Sequence, residues 1–141
     1  MSGYLFLPHT TDAYIEATGP TFENALENAA MGLFDTLCEI SSVSPKLTEE
    51  IDVTGNDDLN LLYSWIDTLL LKFELEAKVY SKFNVSPIAV NDEGLALHAR
   101  ISGEPYNKLL HGAKVEVKAV TYHKMQVIRN QQTTVRFILD L

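Results

Sequence analysis

The sequence predicts an α+β fold, with mostly antiparallel β-sheets packed with two amphipathic helices in a single domain spanning residues 1–141. Three observations predict it. The chain has 141 residues, the usual size of one domain and enough to bury a core without disulfides. Two segments repeat apolar residues at helical spacing. The second half holds consecutive β-patterned segments, which alternating strands and helices of a parallel sheet do not produce.

The first third of the chain predicts two short strands and a helix. The segments "YLFL" at residues 4–7 and "AYIEAT" at residues 13–18 are typical strand patterns. Thr21 is a suitable N-cap, and apolar residues at helical spacing predict a helix from there to about residue 39. A further strand, "KLTEEIDVTG", is predicted at residues 46–55.

A second helix follows, and Asp57 or Asp58 can cap its first turn. Its wide apolar stripe predicts packing against a sheet rather than a surface position. The residues of this predicted stripe are Leu59, Leu62, Tyr63, Ile66, Leu69, Leu70 and Phe73.

The remaining strands are predicted at residues 79–86, 94–103, 113–128 and 133–141. In the longest of them, alternation places one set of side chains on a common face: Val115, Val117, Ala119, Thr121, His123, Met125 and Val127. The polar turn "RNQQ" between the last two strands predicts a hairpin.

Composition restricts the function classes. The net charge is −8, and this argues against a surface that binds nucleic acid directly, because phosphate binding depends on Lys and Arg. The charge is compatible with a cation site or a basic protein partner. The one cysteine, Cys38, lies in an apolar helical pattern and predicts a core thiol, which is consistent with a reducing cytoplasm. We find no signal peptide and no membrane-spanning stretch, so a cytoplasmic location is expected.

Motifs of the common catalytic and metal sites are absent. The sequence contains no GxGxxG, GxxxxGK[ST], HExxH, CxxC or nucleophile elbow. The histidines His9, His98, His111 and His123 are never three or four residues apart, so no helical pair of them can bind a metal.

Two isolated acids are more informative. Asp12 precedes the second predicted strand, and Asp140 lies at the end of the last one, beside the carboxylate of Leu141. If these strands are neighbours, oxygen ligands converge in a form that suits Ca²⁺, Mg²⁺ or Mn²⁺. The alternative is that Asp12 caps the turn after Thr10 and that Asp140 belongs to a frayed strand end.

Four segments together resemble the archease family. They are "LPHTTDAYIEATGPTFENALENAAMGLFDTL" at residues 7–37, "LLYSWIDTLLLKFE" at 61–74, "GEPYNKLLHGAKVEVKAVTYHKM" at 103–125 and "FILDL" at 137–141. The segments occur in the family's order and cover almost the whole chain.

The resemblance implies a small α+β protein that activates the GTP-dependent tRNA-splicing RNA ligase and is not itself an enzyme. It implies that the partner is the ligase catalytic subunit, that guanylylation of its active-site histidine and multiple turnover are promoted, and that its nucleotide use is broadened. It also implies a site for a divalent cation at Asp12, Asp140 and Leu141. The cation is Ca²⁺, with Mg²⁺ or Mn²⁺ as alternatives.

The resemblance also draws attention to four further residues. Asn107 stands where the family usually has Asp, which keeps an oxygen ligand but removes a charge. Lys108 and Lys118 lie in or beside the same motif and are candidates for contact with the ligase or a GTP phosphate, or are solvated lysines. His9 either supports the cation site or bonds the local backbone.

A different class of function stays open from the residues themselves. In it, the same carboxylates hold a cation that activates water, in a stand-alone phosphoesterase or hydrolase of a small phosphorylated substrate. No base or nucleophile in a known motif supports this reading. A general chaperone is a further alternative, but no exposed apolar stripe is evident from the sequence.

Overall fold

The computed structural model describes residues 2–9 and 11–141. The strands are β1 (Gly3–Leu7), β2 (Ala13–Gly19), β3 (Leu47–Gly55), β4 (Lys78–Val85), β5 (Ala89–Asn91), β6 (Gly94–Pro105), β7 (Ala119–Arg129) and β8 (Thr133–Asp140). The α-helices are α1 (Phe22–Leu37), α2 (Asp58–Glu76) and the single turn α3 (Lys108–His111). A 3-10 turn, Ile40–Ser42, follows α1.

The strands form two antiparallel sheets. The first has the order β1-β2-β8-β7, and the second has the order β3-β6-β4 with β5 paired to β6. The predicted α+β class and its antiparallel sheets are confirmed, and so is the β7–β8 hairpin. The strand that begins at Ala13 pairs directly with the last strand, which places the two ends of the chain in one sheet.

The long helices lie between the sheets. α1 contacts β1, β2 and β8 of the first sheet and β4 of the second, whereas α2 contacts β3 and β4 of the second sheet and β7 of the first. Trp65 joins the two helices because its ring is fully buried and its Nε1–H donates to the Leu26 carbonyl at 2.8 Å. One apolar core therefore extends from sheet to sheet through both helices.

Both predicted helix starts are confirmed. The Thr21 hydroxyl accepts a hydrogen bond from the backbone N–H of Asn24 at 3.1 Å. Asp57 does the same for Asn60 at 2.8 Å. Each side chain satisfies an N–H that the first turn of a helix leaves without a partner.

The predicted apolar stripe of α2 is partly wrong. Leu59 is 39% exposed, and Tyr63 and Phe73 are only partly buried. The fully enclosed positions are Leu61, Leu62, Trp65, Ile66, Leu69 and Leu70. The reason is that α2 contacts α1 and strands of both sheets, so its buried arc is wider and rotated relative to a helix that packs on one sheet only.

The longest predicted strand is also wrong in two respects. Residues 113–118 are not in a strand, and the pairing of β7 with β8 shifts between Thr121 and Gln126. Val120 and Met125 are both buried although they are five residues apart, so one alternating face does not run through β7. Lys124 within this bulge has a positive φ of 56°. The short elements β5 and α3 were not predicted.

In the described part of the chain, no helix combines the length and the apolar character that crossing a lipid bilayer requires.

Candidate functional site

The two ends of the chain meet at one end of the first sheet. Ala13 of β2 pairs with Leu139 of β8, and Ala119 of β7 pairs with Asp140. Asp12 precedes Ala13, and Asp140 follows Leu139, so the antiparallel register places both residues at the same end of the sheet. This pairing of strands is the condition on which the cation site was predicted, and the register meets that condition. A cation held between them stays a prediction.

The Asp12 side chain is partly buried beside His9. Its Oδ2 is 3.4 Å from Nδ1 of His9, and the two side chains are 22% and 20% exposed. The His9 ring also packs edge-to-face on Tyr14, with ring centroids 6.0 Å apart. Nδ1 of His9 is buried and makes no hydrogen bond with the described residues, because its contact with Asp12 lacks hydrogen-bond geometry. A buried nitrogen without a hydrogen bond, next to a carboxylate, leaves both polar groups available to a ligand.

Asp140 and Leu141 lie at this same end of the sheet. The Asp140 side chain is exposed, and its backbone carbonyl accepts a hydrogen bond from the Lys118 N–H at 2.7 Å. This bond fixes the main chain at Asp140 but leaves the carboxylate free to turn. The Lys118 side chain is exposed.

The donor set here fits a hard cation. Asp12, Asp140 and the main-chain oxygens of Leu141 are oxygen donors, which Ca²⁺, Mg²⁺ and Mn²⁺ prefer. In residues 2–9 and 11–141, no three His, Cys, Asp or Glu side chains are grouped as metal ligands. A cation would therefore depend on main-chain oxygens and water as well as the two aspartates. Thr10, on which the turn-capping alternative for Asp12 depends, lies outside the described residues.

The bulge of β7 adds a residue that sequence reasoning missed. The ammonium of Lys124 lies 5.9 Å from the centre of the Tyr14 ring, on the chain of contacts that leads through His9 to Asp12. A positive charge therefore lies beside the end of the sheet that carries Asp12 and Asp140. The available signal in the sequence was the broken alternation between Val120 and Met125.

Asn107 and Lys108 belong to a second cluster. Asn107 caps α3, with its Oδ1 accepting from the N–H groups of Leu109 and Leu110 at 3.0 and 3.3 Å. Below this turn, the buried His111 Nε2 lies 2.8 Å from Oε2 of Glu104. In the described residues, no hydrogen bond or ion pair connects Asn107 or Lys108 to Asp12 or Asp140. Asn107 therefore caps α3, and its predicted role and that of Lys108 at the cation site or the ligase stay predictions.

An open cavity of about 620 Å³ lies apart from both clusters. It is bordered by Asp57 and Asp58 at the start of α2 and by Asp92 and Glu93 in the turn before β6. These are solvated acids without a convergent ligand set in the described chain, so cavity size does not identify the site here.

Comparison with known proteins decides the family. The model of the Archease protein family matches residues 4–141. The chain belongs to the archease family.

Relatives support the assignment over the full length. The chain is 34% identical over 142 aligned residues to protein archease of Sulfolobus acidocaldarius, covering all of both chains. It is 34% identical over 136 residues to protein archease of Methanopyrus kandleri, covering 96% of each. The solution structure of Methanobacterium thermoautotrophicum protein 1598 superposes with a TM-score of 0.83 at 32% identity, covering all of both chains. The resemblance found in the sequence is thereby confirmed.

In this archease-family chain, the Glu104–His111 pair has a defined protonation pattern. The backbone N–H of Asn107 donates to Nδ1 of His111 at 2.9 Å, so Nδ1 is an acceptor and Nε2 carries the proton that is donated to Glu104. Glu104 also accepts from the Ser44 N–H at 2.9 Å. The Ser44 N–H, followed by the His111 ring, holds the pKa of Glu104 below its ordinary value near 4.5.

This lowered pKa predicts a pH dependence of stability. A carboxyl with a folded-state pKa below its unfolded value stabilises the fold above the unfolded pKa, and this contribution is lost as pH falls through the folded pKa. Glu104→Gln should therefore lower the urea midpoint at neutral pH, and the difference from wild type should shrink below pH of about 4.5. A difference that stays constant from neutral to acid pH would contradict the assignment.

Proposed function

We propose that this archease-family chain is an accessory factor of the GTP-dependent tRNA-splicing RNA ligase and not a catalyst itself. It promotes guanylylation of the active-site histidine on the ligase catalytic subunit, supports multiple turnover and broadens the nucleotides that the ligase accepts. The observation that carries the proposal is the family match over residues 4–141.

The proposed cation site is the end of the first sheet at which Asp12, Asp140 and Leu141 lie. A bound Ca²⁺, Mg²⁺ or Mn²⁺ supplies positive charge for the phosphate groups that react during guanylyl transfer. The protein's own residues determine where that charge lies. His9 packs between Tyr14 and the Asp12 carboxylate, which limits the orientations of this carboxylate. The Lys118 backbone fixes the main chain of Asp140 from the other side.

The net charge supports a protein partner rather than direct contact with RNA. A chain of net charge −8 is attracted to a basic, RNA-binding ligase, and salt weakens that attraction. The same charge repels free phosphate backbones. The proposed site of action is the cytoplasm, where such a ligase would meet its RNA.

A guanylylation assay tests the function. Purified ligase is incubated with GTP and Mn²⁺, with and without this chain, and covalent attachment of GMP to the ligase is followed over time. The expected result is faster guanylylation when the chain is present and, once RNA ends are added, more than one ligation event per ligase molecule. Equal rates with and without the chain would contradict the proposal.

The same preparation tests the stand-alone hydrolase. The isolated chain is mixed with nucleotides and small phosphoesters in the presence of Mg²⁺ or Mn²⁺, and phosphate release is measured. The Asp12→Ala variant is the control for a contaminating phosphatase. Release that requires Asp12 and no ligase would overturn the accessory role, whereas absence of release together with faster guanylylation would support it.

A further inference from the structure

An irregular segment, residues 112–118, connects α3 to β7, and we term it the strap. Residues 113–116 are exposed, whereas Val117 is buried in the core. An open cavity of about 250 Å³ lies beside the exposed part of the strap, where Leu37, Phe73 and Tyr106 line it. Because this part of the strap is not closely packed, individual bonds determine its position.

Lys114 fastens the strap to the C-terminal end of α1. Its backbone N–H donates to the Leu37 carbonyl at 3.2 Å. Its ammonium donates to the carbonyl and to the carboxylate of Asp35, each at 2.9 Å. The ammonium also lies 3.1 Å from the Glu39 carboxylate. Three oxygen atoms therefore surround an ammonium that has three N–H donors.

The end of α1 explains why a lysine binds there. The last carbonyls of a helix lack partners within the helix, and its dipole favours positive charge at this end. The last turn of α1, which lies wholly in the described chain, holds Asp35 but no basic residue. Lys114 supplies the missing charge from the strap. The Tyr4 hydroxyl donates to the same Asp35 carboxylate at 3.0 Å and orients it for Lys114.

The other end of the strap reaches the candidate cation site. The Lys118 N–H donates to the Asp140 carbonyl at 2.7 Å. Residues 119–121 then pair with residues 138–140, before the bulge shifts the register. β7 is an edge strand of its sheet, so this short ladder is supported by β8 on one side only. Its position therefore depends on where the strap enters it.

We propose that Lys114 is a positioning residue of the cation site. By fastening the strap to α1, Lys114 determines where the Lys118 N–H meets the Asp140 carbonyl. This contact holds the end of β8 beside Asp12, so that both carboxylates can bind one cation. The inference rests on the cation site of the proposed function and adds a residue that does not itself touch the cation.

Lys114→Met tests the proposal, because it keeps a long side chain and removes the ammonium. Mn²⁺ affinity, measured by isothermal titration, should fall about fivefold, as expected when a group that orients a ligand is lost. Amide hydrogen exchange at Lys118, followed by NMR, should become faster because its bond to Asp140 opens more often. The urea midpoint should change little, since the Lys114 side chain is 37% exposed and such ion pairs contribute little to stability.

The sign of the affinity change separates positioning from simple electrostatics. Removing a positive charge should, by charge alone, leave Mn²⁺ affinity unchanged or raise it. The matched control is Lys46→Met, because Lys46 is 70% exposed and pairs with Glu104, outside the strap. It should leave Mn²⁺ affinity and Lys118 exchange unchanged. Lys114→Arg should keep both wild-type values, because a guanidinium can donate to the same carboxylates.

A double-mutant cycle tests the contact itself. Asp35→Asn removes the charge that Lys114 binds but keeps an oxygen that can accept from Tyr4. Asp35→Asn alone should weaken Mn²⁺ binding and speed Lys118 exchange. In the Lys114→Met background it should add little, because both changes break the same contact. Fully additive effects would contradict a shared contact.

The outcomes separate this inference from the proposed function. If the wild-type chain binds Mn²⁺ and Lys114→Met binds it equally well, the positioning role is wrong and the cation site stands. If affinity falls while Lys118 exchange stays at the wild-type rate, the strap does not carry the effect, and the inference is overturned. If the wild-type chain binds neither Mn²⁺ nor Ca²⁺, the cation site fails and the positioning role fails with it. Ligase guanylylation with the wild-type chain still tests the accessory role in each case.

Discussion

Replacing Leu62 with alanine is expected to lower the free energy of unfolding by about 2–5 kcal/mol. Leu62 is fully buried in α2, which packs on α1 and on strands of both sheets. Truncation removes apolar contacts and leaves a cavity that close-packed neighbours cannot fill without leaving their own contacts. Urea denaturation measures the change. The midpoint of unfolding should fall, while the dependence of the unfolding free energy on urea concentration should stay the same.

Leu59→Ala is the matched control for this prediction. It makes the same substitution in the same helix, but Leu59 is 39% exposed. Its cost should be smaller than that of Leu62→Ala, because 39% of the Leu59 surface is already in contact with water and its truncation leaves no enclosed cavity. Equal losses at the two positions would mean that the buried arc of α2 is not the one described.

Replacing Asp140 with alanine is expected to weaken cation binding at least about tenfold and to remove activation of the ligase. The change deletes a carboxylate from a site that has few other ligands, while the exposed side chain contributes little to the core. Without a cation, Asp12, Asp140 and the end of β8 concentrate negative charge, so the apo variant should melt at the same temperature or slightly higher. Isothermal titration with Ca²⁺ and Mn²⁺ measures the first effect, and thermal melting measures the second.

Asp92→Ala provides the control for removing one negative charge elsewhere. Asp92 is an exposed acid in the turn before β6, outside the candidate site. It should leave cation affinity and activation unchanged. Unchanged Mn²⁺ binding in Asp140→Ala would contradict the cation site, and loss of folding in that variant would contradict a purely functional role for Asp140.

The candidate site was predictable because the pairing of two strands brings its residues together. The isolated acids at the start of β2 and the end of β8 were visible in the sequence, and the family resemblance joined them. The antiparallel pairing of Ala13 with Leu139 is the structural fact that makes them neighbours. The positions of Asn107 and Lys124 were not predictable in this way. Asn107 is an N-cap of a single helical turn, and Lys124 lies in a bulge, and neither element has a periodic pattern in sequence.

The sequence by itself determined the fold class, the helix starts at Thr21 and Asp57 and the order of the principal strands. These follow from local rules, namely side-chain periodicity and the capping of free N–H groups. Only the tertiary structure decided that α2 buries Trp65 rather than Leu59, that β7 bulges, and that Leu109 and Leu110 face solvent. The physical reason is that burial depends on which surfaces surround a residue. Periodicity reports the direction in which a side chain points, but the number of neighbouring elements determines whether that direction leads to the core or to water.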